Sequence, residues 1–236
     1  MHLPKIPGIT AKTAKNLRWK SLKYLFQHDP TQIFRRYIFK HPFKYGLRLI
    51  QAYFKKKMYV RDGDFFFYGL KNEQEFQNLL PQSVLVVGFS YCHKPLQCPA
   101  GRFTDQCIHD KSHPVCQGCF IGKAVHALPR HNVVPLFIPT IHYIGEKIFE
   151  ILKKYPDKPL LFLITACELT LEMFGDFGHM VGIRGIGVRL DGRICNTMKA
   201  FELSEKGIKP GLTVVLEGTQ ERMLRLLADK VSADLS

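Results

Sequence analysis

Beyond Ser83 the chain alternates between short apolar runs and stretches whose apolar residues recur every three or four positions. Unbroken apolar runs are typical of strands buried on both faces, and the three- and four-residue spacing is typical of amphipathic helices. The runs predict strands over residues 84–87, 133–138, 160–165, 183–190 and 212–216. The other stretches predict helices over residues 120–128, 141–152 and 220–231. Strands that alternate with helices pair in parallel through right-handed crossovers, so we predict an open, mainly parallel α/β sheet covered by helices. Pro135 cannot donate a ladder hydrogen bond and places the second strand at an edge.

The first part of the chain has another pattern, in which lysine and arginine alternate with aromatic residues from Thr10 to Phe54. This pattern predicts two or three basic amphipathic helices, broken at Pro30 and Pro42. Between this region and the sheet, a turn at Asp62-Gly63-Asp64 with apolar residues on both sides predicts a short hairpin. We therefore divide the chain into a basic, aromatic helical arm (1–58) and an α/β cysteine-rich domain (59–236).

The excess of positive charge lies in residues 1–61, that is, in the arm and the three residues after it. Residues 1–61 hold fifteen of the 34 lysines and arginines but a single acid, Asp29, of the 20 in the chain. The numbers of basic and acidic residues beyond position 61 are therefore equal, which argues against a protein whose whole surface binds a polyanion. Three interpretations of the arm stay open: its aromatic residues pack on the domain, it lies on an anionic membrane surface, or it contacts nucleic acid.

Length and composition narrow the class of protein. A chain of 236 residues with 46% hydrophobic residues can bury a core. It shows neither a signal-peptide pattern at its beginning nor a run of about 18 or more apolar residues without a charge. We therefore expect a cytoplasmic protein, peripheral to the inner face of the membrane if the arm binds lipid. Its seven cysteines, an odd number, are expected to stay reduced.

Cysteines provide the main candidate site. Five of the seven fall in the loop 91–120, after the first predicted strand, where ligands bind in an open parallel sheet. Cys116 and Cys119 form a C-x2-C turn, and we expect Gly118 to help that turn by adopting a positive φ. Two further cysteines follow later strands and should emerge at the same edge. The candidate metal ligands are Cys92, Cys98, Cys107, Cys116, Cys119, Cys167, Cys195 and His113.

The residues leave the identity of the metal open. An iron–sulfur cluster is held by cysteine thiolates, and the surplus of cysteines beyond four favours it. Zinc needs four nitrogen or sulfur ligands and accepts histidine. A third interpretation is an enzyme with a reactive thiol and no metal, in which Cys119 or Cys167 at a helix N-terminus has a lowered pKa. Phosphate-binding, nucleophile-elbow and zinc-protease motifs are not found.

Four motifs resemble an uncharacterised bacterial and archaeal family, the cysteine-rich domain of unknown function 116. They lie between residues 83 and 197 and are Cys92-x5-Cys98-Pro-Ala, Cys116-x2-Cys119-x2-Gly122, Ala166-Cys167-x-Leu169, and Asp191-Gly192 followed by Cys195-Asn196-Thr197. The resemblance implies an iron–sulfur or other metal-binding domain. Where the family has a third cysteine before the C-x2-C turn, this chain has His113.

Two functional hypotheses follow. The preferred one is a metal-binding protein that carries an iron–sulfur cluster, acts in electron transfer or redox chemistry, and meets a redox partner or an anionic membrane surface through residues 1–58. The alternative is a zinc-stabilised module that binds nucleic acid or another partner through the same basic arm.

Overall fold

A six-stranded sheet forms the centre of the chain, as the alternating pattern predicts. The computed structural model describes residues 8–9, 17–54 and 59–235. The predicted helical pattern of residues 10–16 and the lysines at 55–57 lie outside these described residues. The strands of the sheet, in chain order, are β1 (Tyr59–Asp62), β2 (Phe65–Tyr68), β3 (Val84–Ser90), β4 (Val133–Ile138), β5 (Leu160–Ala166) and β6 (Arg184–Arg189).

The spatial order of the strands is β1-β2-β6-β5-β3-β4. Strands β3 to β6 pair in parallel, and the hairpin β1–β2 adds two antiparallel strands beside β6. The predicted hairpin is confirmed, and its second strand belongs to the main sheet. Strand β4 lies at an edge, which confirms the position inferred from Pro135. The fold is therefore the mixed α/β fold with a mostly parallel sheet that the sequence predicts.

Helices cover both faces of this sheet. In chain order they are α1 (Leu17–Gln27), α2 (Leu47–Phe54), α3 (Glu73–Leu79), α4 (Pro114–Gly118), α5 (Phe120–His126), α6 (Ile141–Lys154), α7 (Glu168–Val181), α8 (Met198–Ser204) and α9 (Glu217–Leu235). Helices α6 and α7 contribute to the apolar core on one face, and α5 and α9 contribute to the core on the other. The buried apolar runs of β3 and β5 lie between the two cores, because their alternate side chains point to opposite faces.

The prediction of a fifth parallel strand over 212–216 is wrong. Only Thr213–Val214 (β8) is extended, and it pairs antiparallel with Asp191–Gly192 (β7) in a separate two-stranded sheet. Val215 is nevertheless buried in the core that α9 covers. The apolar run is buried against the main sheet. Hydrophobicity alone does not distinguish such a segment from a strand of that sheet.

The described part of the arm packs on the domain and also exposes aromatic residues. The ring of Tyr37 stacks on Phe149 of α6 with a centroid distance of 4.1 Å, and Tyr45 meets the same ring edge-on at 5.3 Å. Phe43 and Phe54 are instead exposed to 86% and 84% of their surface. The packing interpretation of the arm therefore holds for its buried tyrosines and leaves its exposed phenylalanines without an explanation.

The predicted interruptions of the arm are confirmed. Helix α1 ends at Gln27, before Pro30, and a π-helical segment follows over Phe34–Ile38. A second π-helical segment, Pro42–Gly46, begins at the other predicted proline and leads directly into α2. Proline suits the first turn of a helical segment because its missing N–H has no helical acceptor there.

Candidate cysteine sites

The carboxyl ends of the parallel strands bring the cysteines to one side of the domain, where they form two groups of free thiols. We call Cys98, Cys107, Cys116 and Cys119 the loop group, because all four lie after β3 in the segment that precedes α5. We call Cys92, Cys167 and Cys195 the rim group, because they follow β3, β5 and β7. The thiols of the loop group are half-buried, and those of the rim group are buried. The sequence suggested one site, and the structure divides its candidate ligands between two places.

The loop group lines a single small cavity. Its four cysteines come from the irregular loop that follows Lys94 and from the α4–α5 junction. Apolar side chains, Ile108, Val115 and Ile121 among them, form much of the remaining wall. Four thiols separated by up to 21 positions in sequence therefore face one small, largely apolar space.

The C-x2-C turn lies at the junction of α4 and α5. Cys119 follows the last residue of α4 and precedes α5, and its N–H donates to the Cys116 carbonyl at 3.2 Å. A Cβ on Gly122 would lie only 2.7 Å from that carbonyl oxygen, so the close approach of α5 to the turn requires glycine at this position. The expectation for Gly118 is wrong: it ends α4 without a positive φ, because helical backbone forms this half of the turn.

A buried lysine organises the loop that carries Cys98 and Cys107. Lys94 is exposed to only 1%. Its Nζ donates to the carbonyl oxygens of Gln106 and Thr104 at 2.6 and 2.8 Å, to the Thr104 hydroxyl at 3.0 Å and to the Gly101 carbonyl at 3.4 Å. The loop therefore wraps around a single ammonium group. Burial lowers the pKa of Lys94, and the nearby Cys98, Cys107 and Asp105 oppose that shift.

Burial favours the protonated form of two thiols of the loop group, Cys107 and Cys119. Burial raises the pKa of Cys119, and the neighbouring Cys98 and Cys116 raise it further. Burial also raises the pKa of Cys107, with a contribution from Cys119. The expectation that helix N-termini give Cys119 or Cys167 a lowered pKa is wrong, because burial outweighs the amides near Cys119 and the pKa of Cys167 is raised as well.

The histidines of the loop have other partners. Nδ1 of His113 accepts the Val115 N–H at 3.2 Å and caps α4. The ring of His109 lines the loop-group cavity, with Nδ1 3.1 Å from the Cys107 carbonyl. His93 is buried, and its Nε2 lies 2.9 Å from the Thr165 hydroxyl. Burial and the charge of Lys94 lower the pKa of His93 to about 3.

The rim group lies where three strand ends meet. Cys92 belongs to the single 3₁₀ turn after β3, Cys167 precedes the first residue of α7, and Cys195 follows β7. All three line a small, mainly apolar cavity of about 50 Å³. Its location at the carboxyl ends of parallel strands is where open α/β sheets bind ligands.

A lysine contacts one of these thiols. Lys209 Nζ lies 3.1 Å from Cys195 Sγ. The neighbouring Cys167 thiol and the Lys209 ammonium together hold the pKa of Cys195 below its usual range, against the effect of burial. The pKa of Cys167 moves in the opposite direction, because Cys195 and burial both raise it.

Arg102 connects the loop with the rim. Its guanidinium donates to the Cys92 carbonyl at 2.9 Å and to the Lys209 carbonyl at 3.0 Å. The segment that presents Lys209 is thereby fixed to the turn that carries Cys92. A half-buried carboxyl also lines the rim cavity: Glu205 accepts the Ile141 N–H at 2.8 Å, and removal of its carboxylate from water raises its pKa to about 8.

Sequence reasoning did not identify Lys94, Lys209, Arg102 or Glu205. Lys94 lies two positions after the candidate ligand Cys92, and this position was a usable signal. Lys209 follows Cys195 by 14 positions in a segment without a motif, so nothing in the sequence indicates their contact.

Among the residues that the structure describes, no three or more His, Cys, Asp and Glu side chains are arranged to hold a metal ion. No family model, no curated protein and no solved structure matches this chain. The resemblance to domain of unknown function 116 therefore stays a prediction.

Proposed function

We propose that the loop group binds an iron–sulfur cluster and that the protein acts in electron transfer or redox chemistry at the cytoplasmic face of a membrane. The observation that carries the proposal is the common cavity lined by Cys98, Cys107, Cys116 and Cys119. Four cysteine thiolates are the ordinary ligand set of such clusters.

The surroundings of the loop group support this ligand role. The apolar wall limits contact with water, and the Lys94 ammonium provides positive charge near the loop group. Metal binding would release the protons that burial holds on Cys107 and Cys119. The proposal requires the loop to close around the cluster, since metal binding and ordering of the ligands are coupled.

Substitution of one ligand tests the assignment. We expect Cys116→Ser to lose most of its iron in protein purified without oxygen, because a cluster with a missing thiolate is held weakly. The matched control is Cys92→Ser, in the rim group, which should keep its iron. Equal iron in the two variants would contradict the assignment. Retention of one zinc per chain in the unsubstituted protein would favour the zinc-stabilised module.

Exposed side chains of the arm support docking to anionic lipid. Phe39, Phe43 and Phe54 are more than 60% exposed. The exposed basic residues of the described arm are Lys20, Lys23, Arg35, Arg36, Lys40, Lys44 and Arg48. Aromatic rings enter the interfacial region of a bilayer, and basic residues attract its anionic headgroups, each contributing about 1 kcal/mol near the surface. Within the described ranges no helix is both long and apolar enough to cross a membrane.

Point substitutions are a better test of docking than removal of the arm, because the arm contributes Tyr37 and Tyr45 to the core. We expect Phe43→Ser with Phe54→Ser to weaken sedimentation with phosphatidylserine vesicles by about tenfold or more, while neutral vesicles bind neither protein. Ile208→Ser, which changes an exposed apolar residue outside the arm, is the control. Unchanged vesicle binding would exclude the arm as a lipid anchor. Binding of RNA in its place would favour the nucleic-acid alternative.

A further inference from the structure

A further candidate site lies at the edge of the sheet opposite to the cysteines. It is an open cleft of about 770 Å³ between α2, the carboxyl end of α7 and the strands β1, β2 and β6. The cysteines follow the carboxyl ends of parallel strands, whereas Arg184, the first residue of β6, lines this cleft. Its volume is in the range of sites that bind small organic molecules. We call it the basic cleft, after Arg48, Lys71 and Arg184 in its wall.

Two arginines of the basic cleft lie over glycines. Gly182 ends α7 with a φ of 74°, and a Cβ at this position would lie 2.9 Å from Nη1 of Arg48. Gly69 follows β2 with a φ of 64°, and a Cβ at this position would lie 2.7 Å from Cγ of Arg184. The positive φ favours glycine at both positions, and in both the space of the missing side chain holds an arginine. The fold therefore places both arginines against the main chain in the wall of the cleft.

The basic cleft holds more positive than negative charge. Beside its three basic residues, the lining residues include one acid, Glu75. One Glu75 oxygen accepts the Lys71 main-chain N–H at 2.8 Å, and the other lies 4.0 Å from Arg184 Nη1. That distance is the limit of an ion pair, and both side chains are partly exposed, so the pair contributes little. Among the described residues, no acid forms an ion pair with Arg48 or Lys71. An anionic ligand would supply the missing negative charge.

An exposed apolar face borders the basic cleft. Helix α2 contributes Arg48 and Gln51 to the cleft wall. Leu47, Ile50 and Phe54 of the same helix recur every three or four residues and therefore share a neighbouring face. Their side chains are 51%, 54% and 84% exposed. A helix with an exposed apolar face and basic residues beside it lies in the interfacial region of a bilayer. A ligand that meets both features has an anionic head and an apolar body.

We propose that the basic cleft binds the phosphate monoester headgroup of a membrane lipid, of which phosphatidic acid is the simplest. A phosphate monoester carries a charge of about −1.5 to −2 at pH 7, which matches the excess of three basic residues over one acid in the cleft. Guanidinium groups bind phosphate oxygens in pairs, and a lysine adds a point charge. The proposal rests on the lipid docking of the arm in the proposed function and not on the cluster.

The neighbouring apolar face favours a lipid over a soluble phosphate ester. With the headgroup in the cleft, the acyl chains continue along Leu47, Ile50 and Phe54 into the bilayer. A soluble ester would fill the cleft and leave this face exposed. A phosphate diester such as phosphatidylserine carries a single negative charge on its phosphate, so the basic cleft should bind it less tightly.

Sedimentation of the full-length protein with vesicles tests the proposal. The vesicles consist of phosphatidylcholine with either phosphatidic acid or phosphatidylserine, adjusted to the same surface charge. We expect binding to phosphatidic acid to be tighter by about tenfold, because the cleft forms charge-assisted hydrogen bonds with its headgroup. Isothermal titration calorimetry with glycerol 3-phosphate measures binding of the soluble form of the same headgroup. We expect it to bind more weakly than the vesicles, because it has no acyl chains.

Two double variants with the same loss of charge separate the cleft from general attraction to the membrane. Arg48→Gln with Arg184→Gln should lose most of the preference for phosphatidic acid, because the guanidinium donors of the cleft are removed. Lys20→Gln with Lys40→Gln removes two exposed lysines of the arm that do not line the cleft. This control should weaken binding to both kinds of vesicle by a similar factor and keep the preference. Circular dichroism verifies that each variant is folded.

Any of three results would overturn the proposal. The first is equal binding of the unsubstituted protein to the two kinds of vesicle, and the second is an unchanged preference in Arg48→Gln with Arg184→Gln. The third is binding of glycerol 3-phosphate as tight as that of phosphatidic acid vesicles, which would identify a soluble ester as the ligand. Failure of the proposed docking is distinguishable from these results, because it appears as unchanged vesicle binding in Phe43→Ser with Phe54→Ser.

Discussion

Replacement of Lys94 by methionine tests how the loop group is held. Methionine retains much of the side-chain volume and removes the ammonium group that the loop surrounds. The carbonyls of Thr104 and Gln106, which accept from Nζ at 2.8 and 2.6 Å, then lose a charged donor. A hydrogen bond to a charged group contributes about 1.5–3 kcal/mol, and a buried acceptor left without a donor costs about 1–3 kcal/mol. Release of the lysine from its burial offsets part of the loss.

Loss of the hydrogen bonds to these two carbonyls should lower the free energy that stabilises the closed loop by about 2–5 kcal/mol. Denaturant unfolding followed by circular dichroism measures the global effect, and iron retention during dialysis against a chelator measures the local one. If the loop opens without unfolding the domain, iron retention falls more than global stability. Lys158→Met is the control, because the exposed Lys158 contacts only Asn132 among the hydrogen bonds described, at 3.0 Å. Its effect should stay within about 0.5 kcal/mol. A Lys94→Met protein that matches this control in both stability and iron retention would refute the organising role of Lys94.

Three further predictions concern the two sites and the turn between them. Gly122→Ala should move α5 away from the Cys116 carbonyl and reduce iron content several-fold. Gly118→Ala is the control, because its Cβ meets nothing within 4 Å and iron content should not change. Equal iron contents in the two variants would contradict the close approach of α5 to the turn. The pKa of Glu205 is raised to about 8 from an ordinary value near 4.5, so its contribution to the stability of the folded state is complete below pH 4.5 and is lost as pH rises toward 8. The advantage of Glu205→Gln in unfolding free energy should therefore grow between pH 5 and pH 8, and parallel curves would exclude the burial effect. The pKa of His93 is lowered to about 3, so its contribution is complete above pH 6.5 and is lost as pH falls toward 3. His93→Gln should make the fall in stability below pH 6.5 shallower by up to about 1.4 kcal/mol per pH unit, and an unchanged slope would contradict the neutral, buried ring.

Much of the fold follows from patterns that the sequence displays directly. The unbroken apolar runs of β3 and β5 are buried on both sheet faces, so hydrophobicity alone identifies them. Helices α5, α6 and α9 follow from the spacing of their apolar residues, whereas α3, α4, α7 and α8 were not predicted. Residues 212–216 are the exception. Their apolar character predicts that they are buried, but it does not predict which strand they pair with.

The site was harder to predict because its decisive contacts are distant in sequence. Strand order correctly brings Cys92, Cys167 and Cys195 to one edge. Clustering along the chain, however, groups Cys92 with the other loop cysteines, and the short turn that begins at Tyr91 instead places it in the rim cavity. No local pattern encodes the contact between Lys209 and Cys195.

The absorption spectrum of protein purified without oxygen, measured together with iron, acid-labile sulfide and zinc, tests the central claim most directly. Iron–sulfur binding by the loop group predicts brown protein with iron and sulfide in equal amounts, and loss of both in Cys116→Ser. Reconstitution with iron and sulfide under reducing conditions is the control for clusters lost during purification. Protein that remains colourless after reconstitution, or that holds about one zinc per chain, would contradict the claim.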